Sequence, residues 1–143
     1  MNAQTRSFAS YAAGDRRDYT RTITADDVVT FARVSGDDNA VHLDENFARR
    51  TRFGGRVVHG ALSFGFMAAA QTALVGAGVI WLDASVRFTA PVRIGDTVTT
   101  TAEIAEVHAD KRMLKLRATA RRADGTVVMT GESTVKHLKE MDA

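Results

Sequence analysis

Within Ser35-Gly36-Asp37-Asp38-Asn39-Ala40-Val41-His42 a carboxylate, an amide and an imidazole fall inside six positions. A carboxylate and an imidazole are the usual pair for moving protons near neutral pH. Asp37 and His42 are five residues apart, so a turn through Asp38 and Asn39 can aim both side chains at one water molecule or substrate. Seventeen residues beyond His42, His59-Gly60 heads a run of small apolar residues. Backbone N–H groups at a helix N-terminus are unpaired and can donate to a developing oxyanion, and Gly60 has no side chain to block close approach. Asp37 and His42 are therefore candidate proton-transfer residues and Gly60 a candidate oxyanion donor. Ser35, Gly36, Asn39 and His59 are the residues that would shape the site.

Other chemistry is open to the same residues. Asx residues after a helix often only close turns by bonding nearby backbone, and Asp38 and Asn39 suit that role. A metal site could use Asp37, His42, Asp44 and His59, but there is no histidine pair at i, i+4 spacing and no dense ligand cluster, so no metal is expected. Ser63 lacks the Gly-x-Ser-x-Gly elbow of a hydrolase nucleophile.

Several elements must position these groups. Residues 1 to about 15 show no period and are expected to form a poorly ordered extension, with a short strand from Arg16 to Ile23. Thr24 is a predicted N-cap with Asp27 as its capping-box partner; Val28, Phe31, Ala32 and Ser35 follow at helical spacing, and Gly36 is the stop. Asp37 then emerges just past a helix C-terminus. Asp44 to Arg50 runs from acidic to basic, as a short helix prefers, and Thr51 to Val58 reads as a loop.

Gly60 to Gly78 reads as a helix apolar nearly all round, hence buried. A membrane span is the competing reading of that run, but its glycines and alanines and Gln71 argue against it, so no membrane association is expected. From Val79 the period changes to two. Ile80, Leu82, Ala84, Val86, Phe88 and Ala90 are expected to face the core, with Trp81 on the outer face. Thr97 to Val107, Leu114 to Arg121 and Thr126 to Val135 continue the pattern, the last two joined by an Asp124-Gly125 hairpin turn. The expectation is an α+β fold, a meander of about four antiparallel strands packed against one long helix.

The 143 residues suit a single domain spanning 1–143. The chain has no cysteine, which excludes a disulfide scaffold, a thiolate zinc site and a cysteine nucleophile. The N-terminal residues lack the apolar centre of a signal peptide, so a cytoplasmic protein is expected. Net charge is only +2. Arg49, Arg50, Arg52 and Arg56 gather near the candidate site, and Lys111 to Arg122 carries a second basic excess. Surface solvation explains both, with phosphate attraction as the second reading; without interleaved aromatic residues, nucleic-acid binding is not expected.

The phrase SGDDNAVHLDENFARRTRFGGRVVHGAL resembles the hydratase-2 signature of the MaoC-like, (R)-specific enoyl-CoA hydratases and dehydratases, which have the hotdog fold. FTAPVRIGDTV, from Phe88 to Val98, resembles a strand-turn-strand phrase of the same family. The resemblance implies an antiparallel sheet wrapped around a long central helix. It implies reversible syn addition of water to a trans-2-enoyl thioester, with Asp37 and His42 as the catalytic pair and Gly60 N–H holding the thioester carbonyl. No cofactor is implied beyond coenzyme A or an acyl carrier protein, either of which would be part of the substrate.

A homodimer or dimer of dimers is implied as well, with acyl pockets near the interface. Arg49, Arg50, Arg52 and Arg56 become candidates for the coenzyme A phosphates, and Phe64, Met67 and Leu74 for the acyl pocket. The family's usual proline after the asparagine is Ala40 here, and a serine that some members carry in the central helix falls at Ala68. A thioesterase on the same fold and a non-catalytic acyl-thioester-binding partner subunit are the alternatives; possession of both Asp37 and His42 argues against the latter.

Overall fold

Thr24 and Asp27 start the first helix as a reciprocal pair in the computed structural model, which describes residues 3–142. The Thr24 hydroxyl accepts from Asp27 N–H at 3.1 Å, and the Asp27 carboxylate accepts from Thr24 N–H at 2.9 Å. Arg21 adds an ion pair to that carboxylate. Helix α1, Ala25–Ser35, ends as expected at Gly36, whose φ of 81° is the left-handed conformation that glycine takes without strain. Two short helices follow, α2 over Ala40–Leu43 and α3 over Glu45–Arg49, capped by the side chains of Asn39 and Asp44. The four residues of α2 are too few to show a period, and sequence reading gave Asn39 only a turn-forming role.

Helix α4 covers Gly60–Val75 and stops three residues before the expected end. Gly76 turns the chain at φ 81°, and a Cβ there would collide with the Gln4 carbonyl of the N-terminal segment. No helix among the described residues is long and apolar enough to cross a membrane.

Five antiparallel strands face α4: β1 Arg16–Thr22, β2 Val79–Phe88, β3 Thr97–His108, β4 Met113–Arg122 and β5 Val127–His137. Their order across the sheet is β1-β3-β4-β5-β2. The expected four-strand meander is thus a three-strand one, β3 to β5, with the Asp124-Gly125 turn where it was predicted. β2 lies at the far edge beside β5, and β1 borders β3 on the other side. Alternate residues of β3 and β4, among them Ala102, Ile104, Leu114 and Leu116, are buried beneath α4. Ala70 of α4 packs with them, and Met67 packs in the neighbouring cluster with Val98, Ala118 and Ala120; neither has exposed surface. Truncating a side chain such as Met67 to alanine costs about 2–5 kcal/mol.

Two expectations fail. The alternation through β2 breaks at a bulge between Trp81 and Asp83. The extra residue reverses the faces, so Trp81, though still 37% exposed, turns toward α4 and its indole N–H donates to Gln71 Oε1 at 2.6 Å. Ile80 and Leu82 are 48% and 52% exposed, whereas Val86 packs on the core as expected. The N-terminal segment from residue 3 to 15 is also not loose. Phe8 and Tyr11 are buried, and the Tyr11 hydroxyl donates to the Val75 carbonyl. Two aromatic side chains anchor a stretch that has no periodicity of its own.

Candidate active site

The turn after α1 is built by side chains bonding to backbone. Ser35 Oγ donates to the Phe31 carbonyl at 2.7 Å and accepts from Asp37 N–H at 3.1 Å. Asp37 Oδ1 accepts from Asn39 N–H, and Asn39 Oδ1 in turn accepts from Val41 N–H, each at 3.3 Å. Two successive Asx turns therefore carry the chain from the end of α1 into α2, with the Asp37 side chain exposed and His42 half-buried. Ala40, the first residue of α2, keeps this geometry without proline because Asn39 caps the helix.

The two histidines adopt defined tautomers because both ring bonds end on carbonyls, which only accept. His42 Nδ1–H donates to Val57 O at 2.7 Å, leaving Nε2 with its lone pair free. His59 Nε2–H donates to Asp37 O at 3.0 Å. The rings stack with centroids 3.9 Å apart and planes inclined by 29°. One atom each from Asp37, His42 and His59 lies within 4.8 Å of the others.

These are residue types that ligate metals, and the same atoms serve proton transfer. Asp44 caps α3 through the Phe47 N–H instead.

Gly60 is the first residue of α4, and the His59 carbonyl accepts from Leu62 and Ser63, so Gly60 N–H stands free of the helix ladder. The Phe88 ring lies where a Gly60 side chain would begin, and a Cβ there would stand 3.0 Å from the ring. Gly60, Ser63, Phe88, Val58 and Val92 line an apolar cleft of about 360 Å³, with Arg52 and Phe53 at its side. Phe88 and Val92 are site residues that sequence reasoning assigned only to a strand and a turn.

The remaining candidates disperse. Met67 and Leu74 are fully buried in two separate core clusters, and Phe64 stacks on Trp81 at 5.0 Å. Leu74 lies fourteen residues along α4 from Gly60, roughly 21 Å at 1.5 Å per residue. Arg49 is exposed beside Glu45, Arg50 covers the Phe47 ring, and Arg52 covers the Phe53 ring. Arg56 turns inward: its Nε–H donates to the His42 carbonyl at 2.6 Å and one terminal nitrogen is buried without a partner. It braces the α2 backbone rather than facing solvent with the other three. Arg93, which donates to the Phe53 carbonyl, braces the same loop and was not singled out from sequence.

The arrangement gathers a carboxylate and an imidazole around His59, whose neighbour Gly60 offers an N–H at the head of a helix, which is the equipment for proton transfer and oxyanion stabilisation. The chain matches the family described as MaoC like domain over residues 8–126. It is 41% identical over 124 residues to a 3-hydroxybutyryl-CoA dehydratase of Methylorubrum extorquens, covering 86% of this chain and 78% of that one. It is 40% identical over 129 residues to an (R)-specific enoyl-CoA hydratase of Rhodospirillum rubrum, covering 90% and 89%. Among solved structures it resembles the unliganded R-hydratase PhaJ1 of Pseudomonas aeruginosa, with TM-score 0.88, 34% identity and coverage of 94% and 87%. A five-stranded antiparallel sheet around one long helix, shared with such relatives, places this chain in the MaoC-like dehydratase family with its hotdog fold.

Proposed function

We propose that the chain is an (R)-specific enoyl-CoA hydratase, equally a 3-hydroxyacyl-thioester dehydratase, that adds water reversibly and syn to a trans-2-enoyl thioester. The observation that carries this reading is the approach of Asp37, His42 and His59 within 4.8 Å of one another at the head of α4. Water, held between the Asp37 carboxylate and His42 Nε2, attacks C3 as Asp37 takes its proton. The electron pair of the C2–C3 double bond moves toward the thioester oxygen, where Gly60 N–H meets the developing charge. A proton returned from the Asp37–His42 pair to C2 on the same face completes the product. Ser35, Gly36 and Asn39 hold the turn that presents Asp37.

The thiol carrier is coenzyme A or an acyl carrier protein, bound as part of the substrate, and no separate cofactor enters the reaction. Arg49, Arg50 and Arg52, all exposed, are the contacts to carrier phosphates in this reading. We infer a homodimer joined through the β2 edges: β2 is paired only with β5, and Ile80, Leu82 and Phe88 on it are large and exposed. A cytoplasmic location belongs to the same reading, since a cysteine-free chain has no need of an oxidising compartment. The test is loss of crotonyl-CoA enoyl absorbance on adding the protein, with free thiol followed in parallel. Hydration without thiol release is expected; stoichiometric thiol release would instead identify a thioesterase.

A further inference from the structure

His59 is 1% exposed, and its Nδ1 is a buried nitrogen with no hydrogen-bond partner. An orphaned acceptor in a protein interior is uncommon and costs stability, so its retention asks for a compensating role. Three contacts supply one. The ring's Nε2–H donates to the backbone carbonyl of Asp37 at 3.0 Å. One ring face carries the His42 imidazole at 3.9 Å, and Phe31 packs against the ring at 4.8 Å. The backbone of the same residue is the N-cap of α4, so it fixes the direction of the adjoining Gly60 N–H.

We propose that His59 is a positioning residue of the hydratase site, setting Asp37, His42 and the Gly60 N–H relative to one another through a single side chain held as the Nε2–H tautomer. This rests on the hydratase reading. The tautomer is dictated by geometry: only Nε2 faces an acceptor, so Nδ1 must carry the lone pair. His59 is almost wholly buried, so its effect is on alignment, where an error of about 1 Å costs on the order of 10²-fold in rate.

The test compares the full chain with His59→Phe, which keeps a ring but no donor, and His59→Gln, which keeps a donor but no ring. Leu114→Ala, in the core cluster at the other end of α4, controls for lost stability. Both His59 variants are expected to lower kcat for crotonyl-CoA on the order of 10- to 100-fold, with KM within about 3-fold; Leu114→Ala lowers Tm at least as far while kcat stays within about 2-fold. Nitrogen-15 spectra of histidine-labelled parent protein are expected to show His59 protonated at Nε2 and bare at Nδ1. The Nδ1–H tautomer, or kcat losses no larger than that of Leu114→Ala, overturns the positioning role and leaves the hydratase reading standing. A parent chain that hydrates no enoyl thioester overturns the functional reading, and the tautomer then decides the geometry by itself.

Discussion

The 2.7 Å bond from His42 Nδ1–H to the Val57 carbonyl joins α2 to the strand-like segment that leads into α4, fifteen residues away in sequence. It settles which imidazole nitrogen is available for chemistry, because a carbonyl accepts only a proton-bearing nitrogen. Asp37→Ala and His42→Ala are each expected to lower kcat on the order of 10²- to 10⁴-fold, the usual contribution of a general acid or base. In the proposed mechanism the two act as a unit on one water, so the double variant should lose little more than the worse single. Steady-state hydration of crotonyl-CoA reads all three, and strictly additive losses would contradict a shared water.

Gly60 leads to a sharper case. A methyl group there would stand 3.0–3.2 Å from three atoms of the Phe88 ring, closer than relaxed contacts allow. Phe88 belongs to an edge strand and is 54% exposed, so the ring can yield, but only by tilting away from the cleft it lines. Gly60→Ala should therefore fold and lose at least about 10-fold in kcat, as a displaced oxyanion donor does. Adding Phe88→Val should recover part of that loss by removing the clash. No recovery in the double variant would show that the ring is not what limits Gly60→Ala.

The contrast between these two sites shows what a sequence can disclose. The capping box at Thr24 and Asp27, the stop at Gly36 and the Asp124-Gly125 hairpin were legible because each is decided by residues within three or four positions of one another. Asp37, His42 and Gly60 were legible as chemical types in an order that resembles a family signature. The bonds that aim them were not, since His59 reaches Asp37 across twenty-two positions and His42 reaches Val57 across fifteen. Trp81 was misplaced for a similar reason. A bulge is chosen by the register of β2 on β5, which period-two counting along β2 alone does not contain.

Four arginines that look alike in sequence should separate by experiment. Arg56 Nε–H donates to the His42 carbonyl at 2.6 Å, a charge-assisted bond whose loss costs about 1.5–3 kcal/mol. Arg56→Ala should lower both Tm and kcat, since the carbonyl belongs to His42, the proposed proton-transfer residue. Arg49 is exposed and paired only with Glu45 four residues before it, a contact worth about 0.3–0.5 kcal/mol. Arg49→Ala and Arg52→Ala should leave Tm nearly unchanged and raise KM for crotonyl-CoA several-fold. A normal Tm for Arg56→Ala would deny its bracing role, and unchanged KM in both of the others would remove them from the carrier site.

Acid stability follows from carboxylates that fix turns. Asp124 accepts from the Thr126 N–H in the hairpin, which holds its pKa down to about 2. Asp27 is lowered first by the Thr24 N–H at the head of α1, and Asp142 first by the Phe8 N–H, with Arg21 and Arg112 adding to each. In every case the folded value lies below the unfolded one of about 3.9. Each group therefore contributes stability that is fully present above the unfolded value and lost as pH falls through the folded one. Fluorescence of Trp81, the chain's one tryptophan, should report urea midpoints that fall between about pH 4 and about pH 2. The combined Asp27→Asn, Asp124→Asn and Asp142→Asn variant should start less stable and lose less over that interval, because amides keep an acceptor oxygen but do not titrate. If its midpoints fell as steeply as those of the parent, other carboxyls would have to account for the acid sensitivity.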